Sequence, residues 1–458
     1  MKLFLCFGFF WSFHSLLGVA NQQGAFNARY AGMAGTNLAF GGSPLDLATN
    51  PANLRASKEK NLEINGTVPF INVQYSDQFL NSKDISNSYS NNKRFEDSFL
   101  LPSFGFSTPL TSSLHFGTAA YIESGGKTNF DGIIRNSFTG GSFNSLANAN
   151  IPGAVGNTTL VSESIQAFSY TIKWSNGISY SLGNWDFGIA VSLGASKAKS
   201  STTYKDITGT LPITNQGFQY ESALAFAPGI NLGINYTFEN QLKFAIVYTS
   251  KERYYLDGKM KLISNDANFF FPLRTSTYSE NPENMGVGVS KRWNAVLVGF
   301  DLSYYFFSKS NDSQTFIFDR QAFPTFAGPT SAFRNTQNFR DTYKTSIGME
   351  YSFSETFTCR AGHTYNPNPV SSSGLNPFFG GLIYENISAL GFTQKFEGSW
   401  AFHGAFNYLH LNQLSGTSSS DWALQHSVFN QNNIQLQNFS YSVSSSVYAI
   451  TFGLNKTW

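Results

Sequence analysis

The side chains of this chain that could do chemistry are few, and their spacing does not gather them. Of six histidines, His403 and His410 stand seven positions apart, an odd separation that puts them on opposite faces of a strand and keeps them from sharing a metal. His115, His363 and His426 are distant from one another, and no HExxH-like spacing occurs. The run GVGVSK, residues 286–291, lacks the third glycine and the following helix of a nucleotide loop and reads as part of a strand. Cys6 lies in an apolar leader, which leaves Cys359 alone, so no disulfide framework or cysteine metal site can form within one chain. These residues predict no enzyme, no cofactor and no metal. A hydrolase assembled from scattered loop residues is the catalytic reading that stays open.

Composition says which elements carry the chain. Charged residues make up 13% and aromatics 16%, with 46 Phe and 22 Tyr, while mean hydropathy is only -0.19. After residue 20 no apolar run is long enough to cross a bilayer as a helix. A sparsely charged, aromatic chain without long apolar runs suits transmembrane β-strands, in which every second residue meets lipid. The net charge of +2 offers no concentrated basic face and argues against a nucleic-acid partner.

The alternation is visible residue by residue. Phe226, Pro228, Ile230, Leu232, Ile234, Tyr236 and Phe238 alternate with Ala227, Gly229, Asn231, Gly233, Asn235 and Thr237. Trp185, Phe187, Ile189, Val191 and Leu193 alternate with Asp186, Gly188, Ala190, Ser192 and Gly194, and Tyr343 to Phe353 repeat the pattern. A soluble sandwich also alternates, but rarely carries so many rings on one face. Fourteen such segments follow, near 61–75, 99–108, 113–123, 165–181, 185–200, 222–238, 241–262, 282–292, 295–308, 342–353, 356–366, 385–396, 399–413 and 443–458. Tight links at 183–184, 239–240, 354–355 and 397–398 alternate with long Ser-, Asn- and Gly-rich stretches at 124–164, 309–341 and 414–442. The expected fold is an all-β, antiparallel transmembrane barrel of about 14 strands, with short periplasmic turns and long outer loops.

The two ends agree with that reading. Lys2, an apolar run from Leu3 to Leu17, and the small residues Gly18 and Ala20 read as a cleaved signal peptide over residues 1–20; an uncleaved anchor is the alternative. The last outward positions are Tyr448, Ile450, Phe452, Leu454, Lys456 and Trp458, an aromatic end typical of bacterial outer-membrane barrels. Lys456 can lay its stem along lipid and carry its ammonium to water.

Several segments share an order with a known family. ARYAGMAGTNLAFGGSPLDLATNPANL (28–54), APGINLGINYTFENQLKFAIVYTSKERYYLDGKMKL (227–262), NPENMGVGVSKRW (281–293) and FRDTYKTSIGMEYSFSETFTCRAGHTYNPNPV (339–370) resemble the FadL/TodX family of outer-membrane transporters for long-chain fatty acids and hydrocarbons. The resemblance implies an N-terminal hatch, residues 21–57, folded inside a barrel of residues 58–458. A barrel of this size is wider than its own side chains can fill, so it would leak without a plug. Gly32, Ala34, Gly35, Gly41 and Gly42 allow close backbone packing, and the corner Asn50-Pro51-Ala52 fixes a turn. A disordered periplasmic tail is the bland alternative.

The cargo follows from solvation. An acyl chain of about sixteen carbons would lose on the order of 12 kcal/mol in an aqueous pore. The resemblance implies a route that avoids this cost: capture outside, an apolar internal site, a shift of the hatch, and lateral exit between strands into the membrane. Gly125 and Gly126, in YIESGGKTNF, are the candidates for the kink that opens the wall, or else they begin a flexible loop. Arg340 and Lys199 match basic positions that the family places near its ligand and would meet a fatty-acid carboxylate. The expected partners are a hydrophobic small molecule and outer-membrane lipid, for a monomer in the bacterial outer membrane. A surface adhesin or phage receptor working through the long loops is the competing reading; it requires neither hatch nor apolar lumen.

Overall fold

The computed structural model describes residues 25–80, 88–138, 158–206, 216–263, 273–310, 313–319, 323–325, 328–330, 332–336, 339–370, 384–417 and 440–458. The expected signal peptide, residues 1–20, lies outside the described residues.

Alternating sequence becomes a run of antiparallel strands. The first six are β1 (Asn61–Leu80), β2 (Ser88–Ser98), β3 (Leu101–Pro109), β4 (Leu114–Phe138), β5 (Thr158–Leu182) and β6 (Trp185–Asp206). Next come β7 (Gln216–Ser222), β8 (Ala225–Thr237), β9 (Leu242–Thr249), β10 (Glu252–Ile263), β11 (Leu273–Asn281), β12 (Asn284–Trp293) and β13 (Val296–Tyr305). Four short strands, β14 (Ser313–Phe318), β15 (Phe323–Thr325), β16 (Gly328–Thr330) and β17 (Ala332–Thr336), precede β18 (Thr342–Ser352) and β19 (Phe357–Tyr365). The chain ends on β20 (Asn386–Phe396), β21 (Trp400–Thr417) and β22 (Ser440–Thr457).

Hydrogen bonding closes these into a ring of fourteen: β1, β3, β4, β5, β6, β8, β9, β12, β13, β18, β19, β20, β21, β22 and back to β1. Above the ring the wall continues through β2, beside β1, and through β7, β10, β11, β14 and β17. β2, β7, β10 and β11 are each separated from their lower partner by a two-residue break, as at Pro282-Glu283 between β11 and β12, where proline has no N–H to give the ladder. The links at the opposite end are tight, and Gly183 and Asn294 take left-handed φ of 60° and 50° there.

Alternation sorts the side chains. Val191, Phe226 and Ile347 are 56%, 58% and 52% exposed on the outer face, whereas Ala190, Ala227 and Ser346 are at 2% or less on the inner. Such a continuous apolar exterior is stable only against lipid. Closure removes both sheet edges, which lipid could not satisfy.

The expected long loop 124–164 is a correction. Residues 124–138 belong to β4 and 158–164 to β5. Above the membrane both faces of a strand are wet, so the apolar alternation that marks the lower strands fades while the ladder continues. Parts of 309–341 and 414–442 are likewise strand.

Candidate functional site

Residues 25–57 carry little regular structure and cap what they have. Asn27 accepts from the Tyr30 N–H (2.8 Å) to open a single α turn, Ala28–Ala31. Ser43 and Asp46 form a capping box around a 3₁₀ turn, Pro44–Ala48, and Asn50 caps another, Pro51–Ala56, with Pro51 at its first position. The Asn53 amide gathers the carbonyls of Asn37, Leu38 and Phe40 at 2.9, 3.1 and 3.0 Å, pulling the segment into a compact knot.

This knot packs against inward-facing residues around the ring. Ser103 of β3 donates to Phe26 O at 2.5 Å, and Asn231 of β8 to Leu47 O at 2.8 Å. Asn50 donates to Asn235 Oδ1 (2.8 Å), whose amide returns a bond to Asn53 Oδ1 (3.0 Å). Ser290 of β12 donates to Ala39 O, Thr364 of β19 to Ala34 O, and Asn407 of β21 to Ala31 O, at 2.8, 2.6 and 2.7 Å. Asp301 of β13 accepts the Asn37 and Leu38 N–H groups at 2.7 and 3.1 Å. Gly32 lies against Gly391 of β20; a Cβ on Gly32 would stand 2.8 Å from the Gly391 Cα. Ala52 is fully buried, facing Gly188. The Gly41 carbonyl takes a bond from Arg29 (3.0 Å), and Gly35 and Gly42 hold left-handed φ of 86° and 111°.

Two charged groups set the electrostatics of the knot. Arg29 reaches Glu350 of β18 at 3.1 Å, where Arg360 and Arg292 also converge at 2.8 and 3.0 Å. Asp46 accepts Tyr30 OH (2.6 Å) and the N–H groups of Gly42 and Ser43 (2.8 and 3.0 Å). Burial, only partly offset by those bonds, pushes its carboxyl up to about 7.

Above the knot the inward face turns apolar. Tyr75, Phe95, Phe130, Ile165, Phe307 and Phe339 belong to one buried cluster, with Phe130 at 5.6 Å from Tyr75 and 6.4 Å from Phe95, ring to ring. A barrel interior is ordinarily polar, so this cluster is a departure. Between it and the knot lies a polar collar. Lys173 pairs with Glu123 and, at 2.8 Å, with Glu252; Glu252 also accepts Tyr254 OH at 2.7 Å, and Asn281 donates to Glu123.

Beside this cluster the wall has a seam. The β3–β4 ladder ends at Ser103 and Tyr121, and no ladder forms between β2 and the rest of β4 among the described residues. Side chains bridge it instead: Asn91 exchanges bonds of 2.9 and 2.7 Å with the Ile134 backbone, and Lys127 pairs with Asp97 at 2.9 Å. β4 shifts register against β5 twice, at Glu123 and at Asp131-Gly132. Gly125 and Gly126 stand between the shifts and pair with Tyr170 and Ser169, inside the strand rather than at its end.

The two expected carboxylate-binding cations stand in different places. Lys199 is on the outer face of β6, half exposed and 4.0 Å from Glu221, because its odd position shares the parity of Val191 and Leu193. Arg340 is exposed beside Phe339, its N–H bonded to Pro369 O at 2.8 Å. Among the described cations that face inward, Arg29, Lys173, Arg292 and Arg360 are engaged by glutamates and Lys243 by Asp186 at 3.9 Å, while Lys93 and Lys344 also stand at inward positions; all were missed from sequence. Their signal is parity: a charge at an inward mid-strand position needs a partner. His403 faces the lumen, 2.6 Å from Thr393 Oγ1, while His410 stacks on Tyr408 with ring centroids 6.0 Å apart, so the two do not converge. His426 lies outside the described residues. Among the described residues no three metal-ligating side chains gather.

Comparison with known proteins bears on this arrangement. Residues 16–457 match the family model of the outer membrane protein transport proteins, OMPP1/FadL/TodX. The fold is similar to that of a Pseudomonas aeruginosa FadL homologue, with TM-score 0.70 and 14% identity over 96% of this chain and 99% of that one. It is also similar to the P. putida toluene transporter TodX, with TM-score 0.64 and 15% identity over 95% and 99% of the two chains. The Ralstonia pickettii toluene transporter TbuX gives TM-score 0.61 and 15% identity over 95% and 98%. No curated protein matches the chain.

Proposed function

The chain belongs to the outer membrane protein transport family OMPP1/FadL/TodX, and from that premise we propose that it admits uncharged hydrophobic small molecules through a hatch-gated lumen with a lateral exit. It is a transport protein of the bacterial outer membrane and not an enzyme. In this reading residues 21–57 are the hatch, residues 58–458 the barrel, and the monomer is the working unit.

One observation carries the proposal: an apolar cluster occupies the barrel interior, above a polar knot and next to a seam in the wall. Cargo would leave water at the outer mouth, where Arg340 stands, and rest among Phe130, Phe307 and Phe339. It would then pass sideways where, among the described residues, side chains rather than a ladder join β2 and β4, with the register shifts flanking Gly125 and Gly126 giving β4 its slack. The knot below remains a barrier to water and ions until its bonds rearrange.

The charge of the cargo follows from what faces it. Around the apolar cluster Asp77 accepts Tyr75 OH and an Asn91 N–H, both at 2.6 Å. A carboxylate there would meet the like charge of Asp77, and burying a charge is costly. Aromatic or aliphatic hydrocarbons meet no such penalty. Toluene is the cargo named for two of the similar structures, and a monoaromatic fits the same solvation argument. Cells lacking other hydrocarbon channels, with and without this protein, should be given labelled monoaromatic, alkane and long-chain acid. Faster entry of the neutral compounds only supports the reading; equal entry with and without the protein, or a preference for the acid, would overturn it.

A further inference from the structure

The outer face holds a second feature that hydrocarbon passage does not use. Along β6 the outward positions are apolar from Trp185 to Leu193 and turn cationic at Lys197 and Lys199. Twelve residues separate Trp185 from Lys197. At about 3.3 Å each and a tilt of about 40°, they climb roughly 30 Å, just past an apolar band of about 25 Å. Lys197 therefore stands at the level of the outer-leaflet headgroups.

The ladder registers carry that level around the wall. Lys199 faces Glu221, Glu221 faces Lys259, and Lys259 faces Arg274 across β6, β7, β10 and β11. Lys259 and Arg274 are thus like charges directly opposite one another, an arrangement that opposes sheet formation unless an anion lies between them. Lys261 is one outward position above Lys259. Carboxylates are present too: Lys197 pairs with Glu221 at 2.9 Å, Asp257 is one outward position below Lys259, and the Asp319 N–H donates to the Arg274 carbonyl. Five cations against Glu221, Asp257 and Asp319 leave two positive charges over. Of these, Lys259, Lys261 and Arg274 with Glu221 and Asp257, a surplus of one positive charge, wall a cavity of about 660 Å³, with Ala223, Gly258 and Ser276 keeping its floor low. That volume falls within the range of small-ligand sites.

We propose that this pocket seats the phosphate of a phosphorylated outer-leaflet glycolipid, held between Lys259 and Arg274 with Lys261 above, while its acyl chains lie along Phe226 and Leu224. A phosphate meets both facing cations at once, and Arg offers it two donors in a fork. The apolar belt directly below supplies the second half of a lipid site, which a free anion would not use.

The full-length protein, delipidated in detergent, is tested by native mass spectrometry with added bis-phosphorylated lipid A, with its dephosphorylated form, and with inorganic phosphate as competitor. The parent should retain phosphorylated lipid A at least tenfold better than the dephosphorylated form, and millimolar inorganic phosphate should not displace it. Lys259→Gln with Arg274→Gln should lose that preference, and Lys259→Arg should keep it. Unchanged heat-modifiable gel migration shows that each variant is a folded barrel. Equal retention by the parent and the double Gln variant, equal binding of the dephosphorylated lipid, or displacement by inorganic phosphate would each overturn the proposal. Hydrocarbon entry is expected to stay at the parental level in these variants, so failure here leaves the transport reading standing.

Discussion

Asp301 offers the sharpest handle on the knot. Its carboxylate accepts the backbone N–H groups of Asn37 and Leu38 at 2.7 and 3.1 Å, and both residues are buried. Asp301→Ala strands two donors at about 1–3 kcal/mol each, but it also removes a buried carboxylate that was costly to desolvate. The net loss should sit at the low end, about 2 kcal/mol, which moves a closed–open equilibrium by roughly thirtyfold. Asp301→Asn keeps an acceptor oxygen and should cost less than about 1 kcal/mol. Amide hydrogen exchange at residues 36–39 reads the local opening, and planar-bilayer conductance reads the leak. Faster exchange and more frequent conductance steps in the Ala variant, with the Asn variant near the parent, are the expected results. A folded Asp301→Ala barrel with parental exchange and parental conductance would refute the reasoning.

Two further outcomes follow from the same geometry. Asp46 has its carboxyl raised from an unfolded value of 3.8 to about 7, so the closed knot prefers it protonated. Its cost to the closed state is absent below about pH 4, grows through the window between, and is full above about pH 7, at roughly 4 kcal/mol. Exchange of amides 43–49, corrected for intrinsic rates, should therefore accelerate from pH 5 to pH 8 in the parent and lose that dependence in Asp46→Asn; a flat parental profile contradicts this. Asn91→Ala removes both bonds to the Ile134 backbone at the seam, about 1–2 kcal/mol in a partly buried place, and should speed hydrocarbon entry. Parental entry rates in that variant would detach the seam from the route.

What could be read from sequence follows where lipid is. Trp185 to Leu193 and Phe226 to Phe238 declare their faces because one side must be apolar and the other cannot be. Residues 124–138 do not, since water meets both faces above the membrane and only the ladder to β5 keeps them straight. A residue type marks the break at Pro282, and none marks the one at Ala223-Leu224. The Asn-Pro-Ala corner and the small residues around Gly32 and Gly42 marked a compact segment, yet not its partners. Arg29 and Glu350 are 321 residues apart, and nothing local to either names the other. Inward parity is the signal that would have marked Glu350, Lys173 and Asp301 as charges needing company, and it is carried by strand phase rather than by motif. Lys199 shows the reverse: its parity with Val191 placed it outside, against a role near internal cargo.

The central claim is that cargo passes only when residues 21–57 move against the wall. Asn50 Nδ2 and Asn235 Oδ1 meet at 2.8 Å, so cysteines at both positions, in a Cys359→Ser background, can be joined through two reducible disulfides by a short bis-thiosulfonate spacer. Entry of labelled toluene is then measured before joining, after joining, and after reduction. The account predicts entry in the unjoined protein, its loss on joining, and its return on reduction. Entry at the same rate in the joined and reduced protein would contradict it.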